Sequence, residues 1–230
     1  MVFFLKKVLS VFLLIITAFS LFSCAKQEDV TKQAVLTVNG EVITQAEIDY
    51  FKGKLRAEVL NDYLEKYSVQ YNENFWQTTF DGKTPEQALE EKAREESIMA
   101  KIQLILMREE GIYDDITYEG LYKKAEAFNN ENADKQGVVG IKTIKMSQFY
   151  SYYLQNGIME LKNIYAEGKL KPTQEEIDKK ILDLSDELEN SKEEVVPEDY
   201  ENVAKDKLKT EKYEAYIKEL RKNAEIKEVA

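Results

Sequence analysis

The sequence predicts a mainly α domain with short strands towards its two ends. Three observations carry that prediction. Only three prolines and nine glycines occur in 230 residues, and Lys, Glu, Leu and Ala abound, a composition that favours helix. Apolar residues recur every three or four positions over most of the chain, which is the period of a half-buried helix. Thr44-x-x-Glu47, Thr84-Pro85-Glu86-Gln87 and Thr173-x-x-Glu176 each stand before such a run. In that pattern the Thr hydroxyl accepts from the third helical amide while the Glu or Gln reaches back to the Thr amide.

Residues 1–23 read as a secretory leader. Lys6 and Lys7 give a positive start, and Val8 to Phe22 carries no charge. That apolar run is shorter than the roughly 20 residues a membrane span needs. "LFSC" comes next, with the chain's only cysteine, Cys24. Leu-x-Ser-Cys resembles the lipobox of bacterial lipoproteins, whose signal is cut before the cysteine and whose thiol becomes the thioether link to a diacylglycerol. The resemblance implies lipidation at Cys24 and an extracytoplasmic, membrane-anchored chain. Two or more acyl chains anchor stably where one is marginal. A cysteine used for lipid leaves none for a disulfide.

Residues 24–33 form a polar tether, and 34–230 a single domain. "AVLTVNGEVIT" reads as strand, tight Asn39-Gly40 turn and strand. The Thr44 box then opens a helix carrying Ile48, Phe51, Leu55, Val59, Tyr63 and Tyr67. "NENFWQTTFDGK" is a loop with Trp76. The Thr84 helix runs to Glu110 and stops at Gly111, with Ile98, Ile102, Ile105 and Leu106 as its apolar stripe. Residues 114–128 are helical by spacing. Ser147 caps a helix that ends near Gly168, with Leu154, Ile158, Leu161 and Tyr165 along it. The Thr173 helix, a break at Pro197, a last helix through Tyr213, Ile217 and Leu220, and "AEIKEV" as a closing strand complete the chain.

Charge and composition narrow the function. The leader holds two of 32 basic residues and none of 43 acidic ones, leaving 30 against 43, a net charge of −13. Acidic excess argues against nucleic acid and against electrostatic adhesion to anionic lipid. No histidine occurs, which removes Ser-His-Asp, Cys-His and His-zinc chemistry.

The order of the motifs resembles the SurA/PrsA family of extracytoplasmic chaperones. "VLTVNGEVITQAEIDYF" is similar to the family's opening, and "NFW", "GKTPEQALEEKA" and "LILMREEGI" to the next segment. "SQFYSYYLQNGIMELK" and "KPTQEEIDKKI" resemble the family's later helix and linker, and "KTEKYEAYIKELRKNAEIKEV" its C-terminal helix and closing strand. The likeness covers about residues 34 to 230. It implies a helical chaperone domain in which the C-terminal helix and strand, 198–230, complete the N-terminal part, with "AEIKEV" paired to "AVLTV". Many members carry a parvulin-type prolyl isomerase between linker and last helix. Here only "NSKEEVV" or so stands there, so the expectation is a non-enzymatic protein without cofactor or metal.

The aromatic and polar clusters supply the candidate sites. Phe149, Tyr150, Tyr152 and Tyr153 occupy five positions of one helix. Such neighbours point to several faces, so the stretch is a candidate aromatic surface for unfolded polypeptide, with Met146 and Met159 as adaptable contacts and ordinary core packing as the competing role. Trp76 is a further candidate, with core packing as its competing role. Asn132, Asp134, Gln136 and Gly137 have calcium-loop spacing, but Thr143 stands where a bidentate Glu is needed. Glu90, Glu91, Glu95 and Glu96 read as a solvated face. The expected function is a lipid-anchored, ATP-independent holdase for newly exported, unfolded polypeptides. The alternative is a scaffold lipoprotein for one fixed envelope partner. A prolyl isomerase by family likeness is a distant third.

Overall fold

A computed structural model describes residues 32–133, 143–191 and 199–229. The leader with Cys24, the Asp134–Gly137 part of the calcium-like loop and Pro197 lie outside the described residues.

Strands β1 (Ala34–Val38) and β2 (Glu41–Thr44) form a hairpin, followed by helices α1 (Gln45–Tyr67) and α2 (Pro85–Glu109). Helices α3 (Tyr118–Ala133), α4 (Met146–Glu167), α5 (Gln174–Ser191) and α6 (Tyr200–Asn223) precede strand β3 (Ile226–Glu228). The architecture is the mainly helical one that composition and spacing predict. The two turn residues, Asn39 and Gly40, both have positive φ (51° and 86°), the geometry that a two-residue hairpin demands and Asn-Gly tolerates.

The sheet order is β2-β1-β3, all antiparallel. Leu36 pairs with Glu228, Thr37 with Lys227 and Val38 with Ile226. The first and last strands of the domain are therefore partners, as the motif order leads one to expect. The turn adds a clasp: Asn39 N donates to Glu225 O, and Glu225 N to Asn39 Oδ1, both at 2.9 Å.

Helix α2 is the axis. Its 25 residues run about 37 Å at 1.5 Å each, and it packs against α1, α4, α6 and the hairpin. Its Thr84–Gln87 capping box and Pro85 start it, and Gly111, at φ 73°, ends it. The main core gathers the inward residues Leu36, Val38 and Ile43 of the sheet with the buried faces of α1, α2, α4 and α6. Smaller clusters close the far end of the α1–α2 pair, around Phe75, Trp76 and Leu89, and the α5–α6 pair, around Ile177, Leu184 and Leu208.

Two helix starts differ from the sequence reading. Helix α3 begins at Tyr118, not near 114, because Asp115 Oδ1 accepts from Thr117 N and Oγ1. That turn holds Thr117 as the cap, whose Oγ1 accepts from Gly120 N at 3.1 Å. Helix α4 begins at Met146, so Ser147 is inside it. Lys145 is the cap, and its backbone N donates to Gln148 Oε1 at 3.1 Å.

Candidate functional site

Helix α4 carries the aromatic stretch, and its buried stripe decides which rings are surface. Tyr150, Tyr153, Leu154, Gly157, Leu161 and Tyr165 face inward at intervals of three, one, three, four and four, a helical stripe. Tyr150 is 1 % exposed and meets Tyr50, Phe51 and Tyr118 edge-on or tilted at 4.7–6.5 Å between ring centres. Tyr153 is buried and stacks on Tyr113 at 3.7 Å, while its hydroxyl donates to Asp115 O at 3.3 Å. Phe149 and Met146 are half-buried against the same core. Trp76 is buried in the Phe75 cluster beneath the guanidinium of Arg56, 3.9 Å away. These five positions hold the fold together and offer little surface, so the aromatic surface read into them is much smaller in the structure.

Tyr152 and Met159 are the exception, 64 % and 58 % exposed. They lie seven residues apart, two turns along one face, opposite the stripe. Beside that face runs a trough. One cleft, of about 300 Å³, lies between α4 and α6 and includes Ile158, Met159 and Lys162. A second, of about 260 Å³, continues it under Pro172 and Ile177 at the start of α5. The two share Asp206 and Lys209. The trough is concave, more apolar under Pro172 and Ile177 than beside Met159, and has a charged rim.

A second cluster escaped the sequence reading. Glu47 and Lys101 side chains are each 2 % exposed and form an ion pair at 2.8 Å. Glu47 serves two roles at once. Its Oε2 accepts from Thr44 N at 2.8 Å and from Thr44 Oγ1 at 3.0 Å, closing the capping box of α1. Its Oε1 takes Lys101 and lies 3.5 Å from the Tyr150 hydroxyl, which donates to it. Lys101 also forms part of a cleft of about 330 Å³ between β2 and the start of α3. The signal available in sequence was its register: Lys101 falls three after Ile98 and four before Ile105, inside the apolar stripe of α2.

Burial of this cluster sets a pH limit. Desolvation, and then the Glu47 charge, push the Tyr150 hydroxyl well above its ordinary 10. Desolvation first, then Glu47 and Asp49, push Tyr118 up to about 12. The folded chain holds these protons where the unfolded chain releases them. Full stability is thus kept below pH 10 and lost as pH rises towards 12. Tyrosine absorbance at 295 nm and helicity should change together and steeply in that window. Smooth ionisation with intact helicity at pH 12 would contradict it.

The carboxylates of α2 behave as a solvated, ion-paired face. Glu90 pairs with Lys52 at 2.8 Å and Glu95 with Arg221 at 2.7 Å. Among the described residues no group of three or more acidic or cysteine ligands is placed to hold a metal. None of their helices is long and apolar enough to cross a membrane. Comparison with family models, curated proteins and solved structures gives no match to this chain.

Proposed function

We propose that the protein is a lipid-anchored, ATP-independent holdase that binds unfolded, newly exported polypeptides outside the cytoplasm. The observation that carries this is the trough along α4, with exposed Met159 in it and exposed Tyr152 two turns away on the same helix face. Weak reversible contacts between exposed apolar segments and such a surface delay aggregation without an energy source. A motif order that resembles that of SurA/PrsA chaperones supports the same reading, and so does the pairing of the first and last strands. The leader and "LFSC" support anchoring through an acylated Cys24.

The test uses the chain from Ala25 onward, which keeps every described core residue. It should delay aggregation of several unrelated unfolded proteins. Changing Tyr152→Ser and Met159→Ser together should raise the concentration needed by roughly fivefold, the equivalent of about 1 kcal/mol, with helicity unchanged. The full chain expressed with its leader should carry acyl groups on Cys24 by mass spectrometry. If no client is delayed, the holdase reading fails and a scaffold for one partner replaces it. An acyl-free chain starting at Met1 would refute the anchor.

A further inference from the structure

We infer that the trough beside α4 selects client segments in which acidic side chains flank apolar ones. The inference rests on the holdase reading and adds a substrate class to it. It starts from charge pairing. On the α1–α2 side of the molecule most cations are matched: Lys52 faces Glu86 and Glu90, and Lys92 faces Glu58. Arg94 meets Glu228 and Arg221 meets Glu95 in the same way.

The trough departs from that pattern. Lys162, Lys171 and Lys209 converge on it, and none of the three forms an ion pair among the described residues. Lys162 Nζ has only Thr210 Oγ1 at 3.5 Å and the Tyr213 ring at 5.6 Å. Lys209 Nζ donates to Asn163 Oδ1 at 2.5 Å. Lys205 also lies there but is taken by Glu201 at 2.5 Å. Two carboxylates, Glu167 and Asp206, share the trough, so its lysines outnumber its acids in a chain that is otherwise strongly acidic.

An unpaired ammonium held near an apolar floor gains most from an anion that arrives with the apolar group. Ile158, Ala166, Pro172 and Ile177 give that floor. Carboxylates two or three positions from an apolar residue would reach the lysines while the apolar side chain fills a cleft. The negative surface elsewhere repels such segments, which confines their binding to this site.

The experiment measures fluorescence anisotropy of three labelled ten-residue peptides with one apolar centre and Glu, Gln or Lys flanks. They are titrated with the chain from Ala25 onward at low salt. The Glu peptide should bind about tenfold more tightly than the Lys peptide, with Gln between, from a few partly exposed charge contacts. The difference should shrink at high salt. Lys162→Glu, Lys171→Glu and Lys209→Glu together should invert the order, and Lys171→Gln with Lys209→Gln should flatten it if the triple variant does not fold. Equal binding of all three peptides, with client aggregation still delayed, overturns the charge preference and leaves the holdase reading standing. Absence of peptide binding and of aggregation delay overturns the holdase reading and this inference with it. An order unchanged in the variants also overturns the inference. So does lysine-dependent binding to phosphatidylglycerol vesicles without peptide binding.

Discussion

Replacing Lys101 by methionine should lower the stability of the folded domain by about 3–5 kcal/mol. Methionine matches the lysine side chain in length and Lys101 is only 2 % exposed, so volume alone costs little. The loss comes from Glu47. Its Oε2 keeps Thr44, but Oε1 loses the ammonium at 2.8 Å while staying buried. A buried carboxylate left without its counterion is costly even with the Thr44 and Tyr150 hydrogen bonds kept. The Glu47→Gln variant strands the lysine in the same way. The double variant, Glu47→Gln with Lys101→Met, removes both charges and should recover much of the loss, since a neutral pair needs no counterion. Urea midpoints of the four proteins measure this cycle. A single Lys101→Met variant within about 1 kcal/mol of the parent would show that water reaches the pair.

Deleting everything after Asn223 should destabilise the whole domain, not fray a tail. The truncation removes the pairing of Val38 with Ile226 and of Leu36 with Glu228. It also removes both bonds between Asn39 and Glu225 and the Arg94–Glu228 ion pair. Leu36 and Val38, 1 % and 0 % exposed, would be uncovered along a new sheet edge. Lost apolar cover and unpaired backbone together come to the order of 3 kcal/mol. For a domain of this size that is a fall in Tm of about 6–12 °C. A truncated chain melting with the full one would place β3 outside the cooperative unit.

The parts of this fold legible in sequence are those fixed by local chemistry. The three Thr capping boxes, the Asn39-Gly40 turn and the Gly111 stop each act within a few residues, and each marks an element boundary correctly. The α3 start was missed because Asp115 competes for the Thr117 backbone. Which aromatics of "FYSYY" are buried was not legible. That choice depends on where α1, α2 and Tyr113 lie, which are long-range facts. Gly157 illustrates it: a Cβ there would sit 2.3 Å from Met107 Sδ, so the helix approaches α2 closely at a residue that reads only as a weak helix former. Glu47 was legible as a cap but not as half of an ion pair, because a capping box accounts for a Glu at that position by itself.

The clasp between Asn39 and Glu225 joins residues 186 positions apart. A ribosome adding about 5–20 residues per second makes the first partner roughly 10–40 s before the second. Throughout that interval β1 can pair with β2 at most, and has no partner for its other edge. Completion of the sheet is therefore a timer that only a chain reaching β3 can stop. A product ending before β3 keeps a bare strand edge, and so carries a mark by which proteases can tell it from one that includes β3.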